Sequence, residues 1–298
     1  MEKRLRIAIF TTRTRAYHPN GRLLESASRM GHLAFLLHPR SVLGATFTAL
    51  PDGDLPQVIV PRIGSTMEDH ELAALFHLER CGVPCLNGYR ALVVARDKFL
   101  SLRELEAAGI PVPRTVMVQQ EAQVRGAIKA LGGFPVVAKG LRGRQGSTVT
   151  LVQDMGFARY LVSHPPFPIH GVLFQEFLPT AAQGDVRIVV VRQKVVASMR
   201  RLPRPGEFRA NVHLRARGIP CQPPSSWVQM ALKAASALGL DVAGVDMMEG
   251  PRGPVILEVN TTPGFKELER VTGVDVAGEI VRGAVELAQG GWACASLS

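Results

Sequence analysis

Cysteine is scarce. Four occur in 298 residues, at Cys81, Cys85, Cys221 and Cys294. Cys81 and Cys85 form one Cys-x-x-x-Cys pair, but no second pair and no histidine pair follows at zinc spacing. A thiolate zinc site and a disulfide scaffold are therefore not expected, and reduced structural thiols are. Aromatic residues are thin at 6%, whereas RNA-binding surfaces ordinarily stack bases on aromatic rings. There is no run of about 18 apolar residues, so no membrane span is expected. The basic start, Met1 to Arg6, is followed by only four apolar residues. That reads as an opening strand rather than a signal peptide, and a cytoplasmic protein is expected. Acidic residues are outnumbered, 25 against 35 Lys and Arg, for a net charge of +10. The imbalance favours acidic partners: phosphates, carboxylates, acidic peptides or nucleic acid.

What is present fits a folded chain. Hydrophobic residues make up 46% and charged residues only 20%, which excludes wholesale disorder. No internal repeat or low-complexity tract occurs. Arg6 to Phe10 is a short apolar run of buried-strand type. Residues 20–30 then place Leu23, Leu24, Ala27 and Met30 on one helical face, with Gly31 as a C-cap. His32 to His38 and Gln57 to Pro61 read as further strands, and 67–80 as a second helix. Alternating strands and helices predict a parallel α/β domain ending near Gly88. Beyond it come helices over 97–108 and 121–131, strands Phe134 to Lys139 and Val149 to Val152, and a boundary at Pro165-Pro166-Phe167-Pro168. The last third is strand-rich: Gly171 to Leu178, Asp185 to Val191 and Val195 to Arg200. A helix over 225–238 precedes a hairpin of Val242 to Met248 with Pro254 to Asn260, and a helix over 275–288 closes the chain.

Three clusters carry chemistry. Glu258 and Asn260 are two apart on a strand, so they share a face, together with Ile256 and opposite Leu257 and Val259. Asp246 lies on the partner strand, within reach of both. Oxygen donors without thiolate or imidazole suit a hard cation such as magnesium. Spacing alone leaves open that these residues are the polar face of an exposed hairpin. The second cluster is Lys139, at the end of an apolar strand, followed by Gly140-Leu141-Arg142-Gly143-Arg144-Gln145-Gly146-Ser147. Glycines admit backbone N–H groups close to an anion, although an ordinary basic turn has the same composition. The third is the arginine stretch Arg200, Arg201, Arg204, Arg209, Arg215 and Arg217. Guanidinium groups match carboxylate and phosphate bidentately, and a solvated basic surface is the alternative.

These blocks stand in a known order. Val60-Pro61-Arg62-Ile63-Gly64, Arg96-Asp97-Lys98, Val137-Ala138-Lys139, Gln175-Glu176-Phe177, Gly184-Asp185-Val186-Arg187, Glu207 to His213, Asp241 to Asp246 and Leu257 to Gly264 together resemble the ATP-grasp superfamily, and within it the RimK-like amino-acid ligases. The resemblance implies an α/β fold of three parts: an N-terminal parallel α/β domain (1–90), a central lobe with a glycine-rich lid loop (91–170) and a C-terminal lobe with the metal site (171–298). The two lobes would clamp ATP. By the same resemblance Lys98 and Lys139 hold phosphates, together with Gly143, Gln145 and Gly146 of the lid loop. The backbone of Glu176 and Phe177 reads adenine, Asp185 contacts the nucleotide, and Arg209, Ala210 and Asn211 lie beside phosphate and substrate. Asp246, Glu258 and Asn260 bind magnesium, two ions by expectation, or manganese. Arg200 and Arg209 are expected to stabilise the transferred phosphoryl group.

The implied activity is an ATP-dependent carboxylate–amine ligase. It would add L-glutamate or a similar amino acid to a carboxylate acceptor such as the C-terminus of a ribosomal protein. A homo-oligomer is expected; membrane and nucleic-acid substrates are not. An amino-group carrier protein or a pterin or deazaflavin cofactor is the alternative acceptor. A reading of another class is a catalytically inactive RNA- or ribosome-associated protein. The chain departs from the family pattern at Arg142 and Thr148 in the lid loop, at Leu214 to Arg217, and at Phe265-Lys266-Glu267. All three departures bear on the substrate.

Overall fold

The computed structural model describes residues 4–43, 55–63, 67–141, 149–164, 171–204 and 216–290. Three sheets organise them. The first is parallel and three-stranded, with β1 (Arg6–Phe10) between β2 (Leu33–Leu37) and β3 (Val58–Pro61). The apolar run of β1 is buried on both faces, as a central parallel strand requires. Its alternation divides it between two cores. Ile7 and Ile9 pack with Leu23 and Ala27 of α1 (His18–Arg29), whereas Ala8 and Phe10 pack with Leu72 and Leu75 of α3 (Asp69–Arg80). A short helix, α2 (Pro39–Leu43), follows β2. Gly31 takes φ +81°, the left-handed conformation that lets the chain leave α1 for β2.

Two helices come next, α4 (Tyr89–Arg96) and α5 (Lys98–Ala107), joined through Asp97. The Asp97 side chain caps α5 by accepting from the Phe99 and Leu100 amides. The sequence reading had the helix at 97–108 but missed α4, having ended the first domain at Gly88. Ala95 and Leu105 join the core of the last sheet, beside Ile188 and Ala231. Helix α5 is thus built into that sheet rather than into the one that follows it in the chain.

The second sheet is antiparallel, in the order β4 (Thr115–Val118), β7 (Val172–Glu176), β5 (Val136–Gly140), β6 (Val149–Val152). Helices α6 (Glu121–Leu131) and α7 (Met155–Ser163) cover one face, through Val124, Ile128, Leu161 and Ala138. Strand β4 and helix α7 were not foreseen, since a four-residue strand and a nine-residue helix carry too little periodicity to stand out.

The third sheet is antiparallel, in the order β10 (Arg217–Pro220), β9 (Lys194–Leu202), β8 (Asp185–Val191), β11 (Val242–Gly250), β12 (Gly253–Asn260). Helix α8 (Ser225–Ala237) packs on one face against Ile188, Val190, Val245 and Met247. The other face carries Val189, Val191 and Met199 into a core shared with β1, α1, α9 (Lys266–Thr272) and α10 (Val276–Gln289). The first domain and the last sheet are therefore one packed body. Asn87 ties them further: its Nδ2 donates to the carbonyls of Val242 and Thr261, and its Oδ1 accepts from the Val242 amide.

Gly184 marks the entry to β8. It has φ +79°, and a Cβ there would stand 2.0 Å from the Arg201 carbonyl oxygen. Gly184→Ala is expected to lower stability by more than about 2 kcal/mol, because backbone must move on both strands. A urea unfolding midpoint equal to the parent's would contradict this.

Candidate active site

Strand alternation on the third sheet sorts the charged side chains. On β8, Asp185 and Arg187 share the face opposite Val186 and Ile188, which pack beneath α8. On β9, Arg201 pairs with Asp185, and on β11, Asp246 pairs with Arg187. Four charged groups thus meet on one face. Arg187 reaches both carboxylate oxygens of Asp246 at 2.7 Å. Arg201 grips both oxygens of Asp185 at 2.6 Å and lies 2.9 Å from Asp246 Oδ2. Asp185, Arg201 and Asp246 are all buried, so only mutual pairing makes their burial tolerable. Burial works against ionising Asp246, but the Arg187 and Arg201 guanidinium groups outweigh it and hold the carboxyl below its usual range. Burial pushes the Asp185 carboxyl up, against the pull of Arg201.

The hairpin completes the set, with one correction. The register shifts between Asp246 and Met247, so Asp246 pairs with Glu258, Met247 pairs with Ile256, and Leu257 is the extra residue of a β-bulge. Ile256 therefore lies with Val259 and Met247 in the core under α8. It does not share the face of Glu258 and Asn260, as simple alternation had implied. The bulge reverses the parity and leaves Glu258 and Asn260 on the Asp246 side. Asn260 Nδ2 donates to Asp246 Oδ2 at 3.2 Å and to the Gly244 carbonyl at 3.3 Å. That turns its amide oxygen away from both contacts and available as a donor to a cation.

The second sheet supplies cations. Lys139, on β5, and Lys98, at the first turn of α5, come to the same place: Lys98 Nζ stands 3.9 Å from Glu258 Oε1. The Lys98 amide also donates to the Leu141 carbonyl at 3.2 Å, fixing the helix start against the end of β5. Burial pulls the Lys139 pKa down to about 8, while Glu258, Asp246 and Asp185 pull it up and Lys98 pushes it further down. Lys139 therefore senses side chains from α5, β8, β11 and β12 at once. Asp246 and Asp185 are matched by Arg187 and Arg201, which leaves Lys98 and Lys139 facing Glu258 alone among the acids of the described residues. The surplus is positive, as a phosphate site requires.

Other expected residues are placed differently. Arg200 pairs with Val186, on the opposite face of the sheet from Asp246. Its NH1 lies 3.5 Å from the Gln183 carbonyl, and its charge is felt by Cys221. It is not among the side chains brought together; its neighbour Arg201 is. Sequence reasoning missed Arg201 and Arg187 as site residues. The i, i+2 spacing of Asp185 and Arg187 on one strand was the signal for the second. The carboxylate of Glu176 is clamped on Arg114, accepting from its amide and its Nε at 2.8 Å each. The Glu176 amide donates to the Arg114 carbonyl at 3.0 Å. Phe177 packs on an apolar patch of Leu178, Ala181, Met248, Val255 and Leu257. Gly143, Gln145, Gly146, Arg209, Ala210 and Asn211, with Arg142, Arg144 and His213, lie outside the described residues. So does the boundary expected at 165–168. Among the described residues Cys81, Cys85 and Cys221 are free thiols, and no three His, Cys, Asp or Glu side chains group as metal ligands. A cation at this place depends on the amide of Asn260 beside the two carboxylates. Oxygen donors of this kind, next to a phosphate-directed lysine pair, fit magnesium or manganese.

Lys139 allows a stability test. A lysine whose folded pKa lies below its unfolded one penalises folding fully below the folded value, and not at all above the unfolded value. Lys139→Met should therefore stabilise the ligand-free protein by on the order of 2 kcal/mol at pH 7. The advantage should fade between about pH 8 and the ordinary lysine range. Melting temperatures across pH check this, and a variant less stable than the parent at pH 7 would refute it.

Comparison with known proteins agrees with this geometry. Residues 95–283 match the RimK-like ATP-grasp domain. A probable alpha-L-glutamate ligase of Mannheimia succiniciproducens is 37% identical over 265 residues, 88% of this chain and 86% of that protein. A ribosomal protein bS6–L-glutamate ligase of Salmonella newport is 36% identical over 268 residues, 88% of this chain and 89% of that one. Among solved structures, a RimK domain ATP-grasp protein from Sphaerobacter thermophilus superposes with TM-score 0.73 at 28% identity, covering 94% of this chain and 99% of that one. The ATP-grasp ligase PsnB, solved with a phosphomimetic variant of its minimal precursor, Mg and ADP, superposes with TM-score 0.74, covering 95% of this chain and 98% of that one; at 18% identity this speaks for the fold alone. No helix among the described residues is long and apolar enough to cross a membrane. The mixed α/β architecture is thus the ATP-grasp fold, and the chain belongs to the RimK-like ATP-grasp family, as an ATP-dependent ligase that joins a carboxyl group to an amine.

Proposed function

We propose that the enzyme adds L-glutamate, or a closely related acidic amino acid, to a carboxylate acceptor such as the C-terminus of a ribosomal protein. The observation that carries this reading is the meeting of Lys98 and Lys139 with Asp246, Glu258 and Asn260 between two sheets. The relatives named for glutamate ligation, one of them acting on ribosomal protein bS6, supply the substrate class. In the reaction an acceptor carboxylate oxygen attacks the γ-phosphorus of ATP, and ADP leaves. The amine of the incoming amino acid then attacks the acyl carbon of the acylphosphate, and phosphate leaves.

Each residue has a role in this reading. Lys98 and Lys139 hold phosphate oxygens, and the apolar patch around Phe177, Met248 and Leu257 receives the adenine ring beside the Glu176–Phe177 backbone. Asp246, Glu258 and Asn260 hold magnesium or manganese, two ions by the family pattern, and the cation offsets negative charge on the phosphates. Asp185 acts at one remove, by fixing Arg201 against Asp246. The lid loop with Gly143, Gln145 and Gly146, and the segment Arg209-Ala210-Asn211, contribute the remaining nucleotide and phosphoryl contacts. The division into 1–90, 91–170 and 171–298 follows the family pattern; because the first domain, α5 and the last sheet share cores, the second sheet with α6 and α7 is the part that would move. A cytoplasmic homo-oligomer belongs to the same reading.

An amino-group carrier protein or a pterin or deazaflavin cofactor remains the second acceptor class, and product mass distinguishes them. An inactive RNA-associated protein is disfavoured, because the charged set on the third sheet is complete.

The test is ADP release with ATP, magnesium, L-glutamate and acceptor peptides ending in a free carboxylate. Release should require both peptide and amino acid. Equal release without any amino acid would sink the ligase reading. Glu258→Ala should lower turnover at least a hundredfold with little change in melting temperature, because this side chain is 41% exposed. Asp246→Ala should lower both, because it strands Arg187 and leaves Arg201 with Asp185 alone of its two carboxylates among the described residues.

A further inference from the structure

Arg62, just after β3, is a buried cation without a counter-ion among the described residues. Its backbone amide donates to the Phe10 carbonyl at 2.8 Å, which fixes the residue at the carboxyl end of the parallel sheet. The residue is 4% exposed. Its NH2 donates to the Pro263 carbonyl at 2.9 Å and lies 3.5 Å from that of Thr262. Its Cζ stands 5.5 Å above the Phe265 ring, and the Tyr17 hydroxyl is a further hydrogen-bond partner. Its Nε is buried with no hydrogen-bond partner among the described residues. Carbonyls, a phenol and a ring face offer partial charges, and none is a carboxylate. Burial lowers the Arg62 pKa, yet a guanidinium does not give up its proton near neutral pH. An uncompensated buried charge costs several kcal/mol.

The surroundings point the same way. The His18 ring meets Phe265 at 5.9 Å, and its Nδ1 is buried and unpartnered. Burial keeps that imidazole below its ordinary pKa, with Glu269 opposing and Lys266 and Arg22 reinforcing the shift. Asn20 Oδ1 is buried and unpartnered too, while Asn20 Nδ2 donates to the Arg13 and Thr14 carbonyls at 3.0 and 3.1 Å and so shapes the loop after β1. Arg13 lies 4.6 Å over the Tyr17 ring, and neither it nor Lys266 has a carboxylate partner among the described residues. Pro263 follows Asn260 by three residues, which spans at most about 11 Å. Arg62 is therefore held against the segment that leads directly from Asn260.

We propose that Arg62, with His18 across Phe265 and Arg13 over Tyr17, binds a carboxylate of the acidic substrate that is not itself activated. This rests on the ligase reading above. The carboxylate has two sources, the incoming dicarboxylic amino acid or an acidic residue of the acceptor. Either one would provide the anion that Arg62 lacks. The substitutions at 265–267 relative to the family pattern fall on this wall, which would make it a place where substrate preference is set.

Calorimetric titration of the full chain with glutarate, L-glutamate and L-glutamine tests the pocket without turnover. Binding of glutarate or L-glutamate should weaken at least tenfold in Arg62→Gln and in Arg13→Gln, and L-glutamine should bind at least tenfold more weakly than L-glutamate. Arg62→Lys keeps the charge and should recover part of the binding, which covers the case in which Arg62→Gln does not fold. In steady-state ADP release, a raised KM for L-glutamate alone assigns the pocket to the incoming amino acid. A raised KM for a synthetic peptide ending in glutamate assigns it to the acceptor. Both support the proposal if the KM for ATP stays within twofold. Unchanged binding in folded variants, or no binding of either dicarboxylate to the parent protein, would overturn it and leave Arg62 as a pin between β3 and Pro263. Failure of ADP release with every acceptor would count against the ligase reading instead, since the titration does not depend on turnover.

Discussion

The paired charges Asp185–Arg201–Asp246–Arg187 are the constraint on which the site depends. They lie on one face of an antiparallel sheet, three of them buried and Arg187 partly so, two acids against two bases. Removing any one would strand a charge in a place that water does not reach, so the four hold one another in position. The net effect is to keep Asp246 ionised and aimed at its partners across the hairpin. Arg201, deep in the sheet, acts as the common post for two carboxylates from different strands.

That network makes the rest of the arrangement possible. With Asp185 and Asp246 compensated from within their own sheet, the lysines brought by the second sheet and by α5 are not consumed by them. Among the described acids left unpaired by that network Lys98 and Lys139 face Glu258, and a phosphate group is the kind of anion that would complete the balance. The β-bulge at Leu257 serves the same end by geometry. It sends Ile256 into the core and Glu258 to the site, from positions only two apart.

Two cations stand out because they are held against their own preference. Lys139 is drawn down to about 8 by burial, and Arg62 is buried with its Nε unpartnered. Both burials cost the ligand-free chain stability, and an anionic ligand at either would offset that cost. This is the usual relation between preorganised binding and stability. The large shared core of β1, α1, α10 and the last sheet supplies the apolar burial that tolerates it.

Much of this was legible in the sequence. The buried runs at Arg6 to Phe10 and Asp185 to Val191, the turn that joins the hairpin, and the ordered lysine and carboxylate blocks are local patterns. Periodicity and composition specify the runs and the turn without reference to distant residues, and the ordered blocks are legible through their resemblance to the ATP-grasp family. Spacing also put Glu258 and Asn260 on one face, and the structure retains that. What the sequence could not show was parity through a bulge, because one extra residue reverses which side chains point inward. Nor could it choose Arg201 over Arg200, since adjacent arginines look alike until the pairing with Asp185 shows which one faces the acids. The buried position of Arg62 was likewise invisible, because its partners at Thr262, Pro263 and Phe265 lie about two hundred residues away. The sequence by itself determined the types of group the site contains. Tertiary structure decided which of them meet, because burial and strand pairing are properties of distant segments brought side by side.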